Sequence, residues 1–199
     1  VKWYKRGFLF NLDFALTLAS KSLYPLGISV DPKQAIIGRD GWLYLGDMYA
    51  QTRTVDRSSP TETDFSLGKK IGGAAKAWDA YLSGKSVKLF RVMVGPNKGT
   101  IYPEHLPIWA KPPSPNVTDA LFAGTGHSQY VDLRKPLLAA KEKHSEPLYY
   151  KTDTHWNSLG AGIGFRAFAQ QVAMETPELQ WPSEAVYELS RVDLRGGGD

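Results

Sequence analysis

The run PLYYKTDTHWNSLGAGIG, residues 147–164, joins a predicted strand to a predicted helix. It opens with apolar and aromatic residues, which favour a short strand over residues 148–150. Asn157 or Ser158 then offers a helix N-cap, ahead of apolar residues at helical spacing. Between the two elements stand Asp153 and His155, two residues apart. A carboxylate and an imidazole at a strand-to-helix junction make this junction the first candidate for a functional site.

Further strands and helices alternate upstream of this junction. Apolar residues at helical spacing predict helices, short apolar runs predict strands, and Asp40-Gly41 between two apolar runs is a hairpin signal. The alternation indicates an α/β domain with a mainly parallel sheet. In chain order, the predicted elements are a helix within residues 8–28, a hairpin centred on residues 38–41, a helix over residues 67–82 capped near Thr63 or Asp64, strands at residues 88–94 and 130–133, a helix over residues 135–143, and the strand and helix at residues 148–150 and 158–174.

Two stretches lack this regularity. Residues 49–64 are polar and predict a surface loop, while residues 102–118 are rich in proline and predict an irregular excursion. The run at residues 88–94 is largely apolar and predicts a buried strand. Because parallel strands place the loops that follow them at one edge of a sheet, residues 95–98 and 152–157 are expected to share an edge.

Composition restricts the classes of protein to which the chain can belong. Its 199 residues suffice for one domain with a sizeable core. The net charge of +4 comes from scattered basic residues, without the basic stripe of a nucleic-acid-binding protein. The absence of cysteine excludes a disulfide framework and thiolate metal sites, and no apolar run reaches the roughly 18 residues that span a bilayer. We therefore expect no nucleic-acid partner. We also expect no cofactor.

Asp153 and His155 have the residue types and the spacing of an acid–base pair. A carboxylate can hold an imidazole in one tautomer and stabilise its charged form, while the imidazole removes a proton from a hydroxyl nucleophile. The alternative is an N-capping aspartate beside a surface histidine. Asn157 or Ser158 already supplies an N-cap, which weakens this alternative without removing it.

A metal site is a rival interpretation of the same pair. Asp153 and His155 could join one of His105, His127 and His144 around zinc or iron. No second histidine stands at the usual metal-ligand spacing, so we predict no metal. His105 is instead expected at the surface of the proline-rich excursion.

Three short motifs resemble known functional loops without meeting their requirements. In Gly126-His-Ser-Gln129, Ser128 precedes a predicted strand instead of following one, and the second glycine of a nucleophile elbow is absent. Residues 84–86 lack the upstream glycine of a phosphate loop. The glycines at residues 160–164 have the wrong spacing for a dinucleotide fingerprint and fall inside a predicted helix.

Three further residues are candidates for substrate binding. Asn97 and Lys98 follow a predicted strand, where they could form a polar wall of a site or a plain turn. Trp156 could stack on a sugar ring, although packing is the commoner use of a tryptophan. Together with Asp153 and His155 they make up the candidate site.

Three segments together resemble the alginate O-acetyltransferase family of AlgJ/AlgX type. They are GRDGWLYL at residues 38–45, VGPNKGTIYPEHLP at residues 94–107 and YYKTDTHWNSLGA at residues 149–161, and they come in the family's order. The resemblance implies a three-layer, flavodoxin-like α/β domain of SGNH-hydrolase type with a mainly parallel sheet. This domain is expected over residues 35–199, after a helical lead-in over residues 1–34.

The resemblance also implies a function. It points to O-acetylation of an exported bacterial polysaccharide, in the periplasm or tethered to the membrane that faces it. Asp153 matches the family's triad aspartate and His155 its triad histidine. The expected partners are the polysaccharide acceptor and an acetyl-donating membrane protein of the same pathway.

The resemblance places the nucleophile outside this chain. In the family, the Asp-x-His block precedes a serine in a later Gly-Asp-Ser motif that follows a buried strand. Gly198-Asp199 has neither the serine nor the strand, so we expect the chain to hold the first part of the domain. Two alternatives stay open: a catalytically inactive carbohydrate-binding or scaffold protein of a polysaccharide export system, and a carbohydrate acetylesterase, in which water replaces the sugar hydroxyl.

Overall fold

The computed structural model describes residues 12–126 and 129–178. The parts of the helical lead-in and of the C-terminal region beyond these ranges, including Gly198-Asp199, lie outside the described residues. Helices and short strands together confirm the α/β class. The helices are α1 (Leu12–Leu23), α2 (Thr52–Asp56), α3 (Glu62–Ser83), α4 (Lys98–Ile101), α5 (Val117–Thr125), α6 (Arg134–Lys143) and α7 (Ser158–Glu175), and the strands are β1 (Ala35–Ile37), β2 (Leu43–Leu45), β3 (Val92–Val94) and β4 (Tyr130–Asp132).

β1 and β2 form the hairpin that Asp40-Gly41 predicts. The strands pair antiparallel, with Ile36 opposite Tyr44. In the turn, Asp40 and Gly41 have φ angles of 56° and 79°, in the left-handed region that aspartate and glycine tolerate best. Ile36 and Tyr44 are both buried in the core. The hairpin is therefore anchored by the one face of β1 and β2 that carries these side chains.

β3 and β4 form a parallel pair, with Met93 opposite Val131. The sequence predicted a buried strand over residues 88–94, and this prediction is wrong in both length and burial. β3 covers only Val92–Val94, and Arg91 just before it pairs with Glu175 on α7. Side chains alternate along a strand, and Met93 points to a face on which it stays 41% exposed.

Residues 148–150 form backbone hydrogen bonds with residues 155–157, which follow them in the chain, instead of forming the predicted strand. The N–H of Asn157 donates to the Leu148 carbonyl at 3.0 Å, and the N–H of Tyr150 donates to the His155 carbonyl at 3.2 Å. Backbone groups must find partners, and here they find them in the segment that follows. They are thus not available to a neighbouring strand, which is why the prediction of a strand here is wrong.

α3 is the amphipathic helix predicted over residues 67–82, and it begins at Glu62. Thr61 is its N-cap. The Thr61 side chain accepts a hydrogen bond from the N–H of Asp64, and the Asp64 carboxylate accepts one from the N–H of Thr61 at 2.8 Å. The predicted cap at Thr63 or Asp64 is therefore wrong, because Asp64 is the acidic partner of a capping box.

α2 falls within residues 49–64, where the sequence predicted a surface loop, and α5 begins at the end of residues 102–118, the predicted irregular excursion. α5 begins after Asn116, which forms a capping box with Asp119. The prolines of residues 102–118 hide this signal. α5 packs closely on α3, since a Cβ atom at Gly72 would lie 2.7 Å from Thr125 Cα. The backbones of the two helices are therefore in direct contact at this point.

Buried tyrosines join distant segments of the chain. Tyr44 donates its hydroxyl to the Tyr102 carbonyl at 2.6 Å, and the N–H of Leu148 donates to the Tyr102 hydroxyl at 2.9 Å. Tyr149 donates its hydroxyl to the Pro96 carbonyl at 2.5 Å. Burial raises the pKa of Tyr44 and of Tyr149, so both hydroxyls stay protonated donors. The hairpin, the region of α4 and the loop after α6 are thus tied into one core.

Candidate active site

Asp153 and His155 lie on the loop between α6 and α7, which is closed by the backbone hydrogen bonds between residues 148–150 and 155–157. Leu43 of β2 donates its N–H to the Lys151 carbonyl at 2.8 Å, which fastens the loop to the hairpin. Within the loop, the N–H of His155 donates to Asp153 Oδ1 at 2.8 Å. Of the two N-caps that the sequence offered, Asn157 and Ser158, Asn157 caps α7 by accepting a hydrogen bond at its side-chain oxygen.

The two side chains form a dyad. Asp153 Oδ1 lies 2.6 Å from His155 Nδ1, which is the contact that the sequence predicted. Hydrogen bonds from the His155 backbone N–H and from its ring hold the pKa of the Asp153 carboxyl below its usual range. An ionised carboxylate only accepts hydrogen bonds, so Nδ1 carries the proton of the neutral imidazole. Nε2 is then left with the lone pair that a general base needs.

Both members of the dyad reach the surface. The His155 side chain is 78% exposed and that of Asp153 is 49% exposed. This exposure makes the imidazole accessible to a hydroxyl group, but it also lets water weaken the attraction between the two charges. Water therefore reaches both side chains in the described part of the chain.

Lys98 lies under the same loop. Its ammonium donates hydrogen bonds to the carbonyls of Tyr150, Lys151 and Asp153 at 3.0, 3.0 and 2.7 Å. The residue is only 4% exposed. Residues 95–98 and the loop of Asp153 were expected to share one edge of a parallel sheet. Residues 148–150 form no strand, and the two segments instead meet through the Lys98 side chain. The predicted contact of Lys98 with substrate stays a prediction.

Asn97 faces α2, an element that the sequence did not reveal. Its Nδ2 lies 3.3 Å from both carboxylate oxygens of Asp56, which also pairs with Arg53. Burial raises the pKa of the Asp56 carboxyl above its usual range, against the opposing effect of Arg53. Sequence patterns do not single out Arg53 or Asp56, because a helix of five residues is too short to show apolar periodicity.

A small cavity lies between α2 and the loop that carries the dyad. Arg53 is 4% exposed, and its Nε and Nη1 have no hydrogen-bond partner within the described residues. Thr154, between the two dyad residues, borders the same cavity. The cavity is lined by Tyr44, Leu45, Thr52, Arg53, Asn97, Lys98, Gly99 and Thr154.

Trp156 is held between two glycines. A Cβ atom at Gly95 would lie 3.2 Å from its ring, and one at Gly164 would lie 3.4 Å from it. The indole is half-buried against the core, and the Trp156 backbone forms an isolated β-bridge with Tyr149. These contacts favour packing as the use of Trp156, while its stacking on a sugar stays a prediction.

The metal interpretation finds no support in the described ranges. His105 stacks on Trp42 with ring centroids 4.6 Å apart, and its Nδ1 lies 3.1 Å from Asp40 Oδ2. The indole covers one face of His105, so this residue is half-buried and not at the surface as expected. His144 is the C-cap of α6, and His127 lies outside the described residues. No group of three or more histidine, cysteine and acidic side chains within those ranges could hold a metal ion.

The glycine motifs take no part in the dyad. The glycines of residues 160–164 lie inside α7, as predicted, and Gly84 is the C-cap of α3. Ser128, in the segment compared with a nucleophile elbow, lies outside the described residues. The described part of the chain contains no helix with the length and apolar character needed to cross a bilayer.

Comparison with known proteins places this arrangement in a family. The model of the SGNH hydrolase-like domain of the acetyltransferase AlgX matches residues 35–197. The chain belongs to this family. The AlgX-type match includes the hairpin, Lys98 and the dyad, and it confirms the predicted SGNH-hydrolase-like fold.

Two AlgJ proteins resemble this AlgX-type chain. It is 28% identical over 166 residues to a probable alginate O-acetylase AlgJ of Pseudomonas fluorescens. These residues make up 81% of this chain and 39% of that protein. The solved O-acetyltransferase domain of Pseudomonas putida AlgJ matches with a TM-score of 0.54 and 21% identity, over 75% of this chain and 50% of that one. The chain thus spans half or less of these relatives, and the likeness to the solved domain supports the fold alone.

A third relative is more distant. The structure of Bacillus cereus PatB1 has a TM-score of 0.45 and 14% identity over 77% of this chain and 44% of that one, which is too low to add to the argument. The AlgX-type fold does not itself assign roles to single residues. The division into residues 1–34 and 35–199 likewise stays a prediction, as do the roles of Asp153, His155, Asn97, Lys98 and Trp156.

Proposed function

We propose that this chain supplies the acid–base pair of a polysaccharide O-acetyltransferase. The observation that carries the proposal is the 2.6 Å contact between Asp153 and His155, in a chain of the AlgX-type family. The relative named as an alginate O-acetylase supports acetyl transfer to a sugar polymer. We assign the nucleophile to a serine outside residues 1–199, as the family's order of motifs implies.

The first half of the reaction acylates that serine. His155 Nε2 takes the hydroxyl proton while the serine oxygen attacks the carbonyl carbon of the acetyl donor. The bond between the acetyl group and the donor breaks, and the departing group takes the proton from His155. Asp153 stabilises the imidazolium that exists between these two proton transfers.

The second half transfers the acetyl group to the acceptor. His155 Nε2 takes the proton from a sugar hydroxyl, whose oxygen attacks the acetyl carbonyl carbon. The serine oxygen leaves and regains the proton from His155. The products are an O-acetylated sugar and the free serine, so the chemistry needs no metal or redox cofactor.

The setting of the reaction belongs to the same proposal. We place it at the periplasmic side of the cell membrane, where an exported polymer is accessible. An acetyl-donating membrane protein of the same pathway supplies the acetyl group. These assignments rest on the family resemblance, and fractionation of cells with an antibody against the chain tests the first of them.

The test of the activity uses the full-length protein with a chromogenic acetyl ester and a uronate oligosaccharide. We expect chromophore release together with an acetylated oligosaccharide in the mass spectrum. His155→Ala should lower kcat by about 10²–10⁴-fold, the usual contribution of a general base. His144→Ala, which changes a histidine at the end of α6, is the matched control and should leave kcat unchanged.

The same assay separates the competing functions. Chromophore release without oligosaccharide acetylation identifies an acetylesterase. Binding of the oligosaccharide without release of the chromophore identifies an inactive binding protein. Full acetyl transfer by His155→Ala would contradict the proposed role of the dyad.

A further inference from the structure

We propose that Lys98 is a positioning residue, whose ammonium holds the loop in the conformation in which Asp153 and His155 meet. Its catalytic consequence rests on the proposed function, whereas its effect on the dyad does not. Lys98 acts through the backbone of Asp153 and not on the substrate. It therefore differs in kind from a lysine that binds an acceptor.

The contacts of Lys98 match the capacity of an ammonium. An ammonium has three N–H donors, and the carbonyls of Tyr150, Lys151 and Asp153 lie 2.7–3.0 Å from Nζ. The charge also lies 5.4 and 5.0 Å from the ring centroids of Trp42 and Tyr44. A buried charge needs such compensation, and here carbonyl dipoles and ring faces provide it.

The loop needs an anchor of this kind. The side chains of residues 151–155 are all exposed, so burial of apolar surface does little to order them. Its polar contacts must therefore order it. Lys98 draws together carbonyls on both sides of the turn, which a single backbone hydrogen bond between neighbours cannot do.

Asp153 links the anchor to the dyad. Its carbonyl accepts the shortest of the three hydrogen bonds from Lys98, at 2.7 Å, and its carboxylate accepts hydrogen bonds from the backbone and the ring of His155. Holding the carbonyl restricts the backbone torsions of Asp153, and with them the directions in which its side chain can leave the backbone. Loss of the ammonium should therefore disturb the position of the His155 imidazole, which is only two residues further along the chain.

The test compares Lys98→Met with Lys141→Met in this chain. Lys141 is a matched control, because its ammonium also donates to a backbone carbonyl, that of Ile101 at 2.7 Å, and lies 4.6 Å from the Tyr102 ring centroid. Nitrogen NMR of the imidazole reports the tautomer of His155. Amide hydrogen exchange reports the bond from the His155 N–H to Asp153.

For Lys98→Met we expect a mixture of both His155 tautomers and exchange of the His155 amide faster by at least about tenfold, since the loop opens locally. Lys141→Met should keep the wild-type tautomer and exchange rate, although it also loses stability. An unchanged tautomer and an unchanged exchange rate in folded Lys98→Met would overturn the proposal. A lysine that only stabilises the domain would produce that result.

Lys98→Arg covers the case in which Lys98→Met does not fold. It keeps the charge, but a planar guanidinium cannot place one nitrogen at the meeting point of three carbonyls. We expect faster exchange of the His155 amide here too, and wild-type behaviour would overturn the proposal. In the full-length enzyme, Lys98→Arg should lower kcat with little change in KM. If the wild-type enzyme transfers no acetyl group while the NMR effects are present, the proposed function fails and the positioning role stands.

Discussion

Asp153 owes its lowered pKa to two donors from one neighbour, the backbone N–H and the ring of His155. We therefore predict that His155→Ala raises the Asp153 pKa only part of the way to its usual range, because the backbone donor remains. A carbon NMR titration of the Asp153 carboxyl measures both values. Equal pKa values in the wild type and the variant would show that the ring donor contributes nothing.

The same shift makes a contribution to stability that depends on pH. A carboxyl whose pKa is lowered in the folded state stabilises that state above its unfolded pKa, and this stabilisation disappears as the pH falls through the folded pKa. We expect Asp153→Asn to lose stability at neutral pH and to match the wild type more closely in acid. Urea unfolding over a pH series tests this, and a constant difference between the two proteins would argue against it.

At the scale of the element, the start of α7 depends on two glycines with opposite surroundings. A Cβ atom at Gly160 would lie 2.1 Å from the Leu148 carbonyl oxygen, whereas one at Gly162 would meet nothing within 4 Å. Gly160→Ala should therefore destabilise the domain by about 3 kcal/mol. Gly162→Ala should stabilise it by up to about 1 kcal/mol, because alanine is the better helix former. Thermal unfolding of both variants checks the contrast, and equal effects would refute it.

At the scale of the whole molecule, the buried tyrosines make one unit of segments that are far apart in sequence. Tyr44 and Tyr102 are 58 residues apart and share a buried hydrogen bond. Tyr44→Phe leaves the Tyr102 carbonyl without this donor and should cost about 1–2 kcal/mol. Tyr81→Phe is the control, since Tyr81 is 58% exposed on α3. Urea unfolding measures both, and an equal cost would show that the buried bond is not stabilising.

Whether a feature depends on residues that are close together or far apart in the chain also decides whether it could be predicted from the sequence. The hairpin turn at Asp40-Gly41, the Asn157 cap and the dyad each depend on residues close together in the chain, so short motifs predict them. Lys98 depends on backbone carbonyls more than 50 residues away. Its burial leaves no periodic pattern, and the sequence indicated only a polar residue near a site.

The strands show the same limit at larger scale. An apolar run at residues 148–150 predicts a strand, but a strand also needs a neighbour that offers its backbone. The following segment provides those partners first. The number of strands in the sheet could therefore not be read from apolar runs, although the α/β class could.

The close approach of Gly160 to the Leu148 carbonyl has a mechanical consequence for the loop before α7. An approach that leaves no room for a methyl group fixes the backbone at Leu148 against a helix of 18 residues. Asn157 fixes the other end of the loop, because it is the N-cap of the same helix. Motion of the loop is therefore confined to the residues between these two fixed ends, which include the three whose carbonyls Lys98 binds.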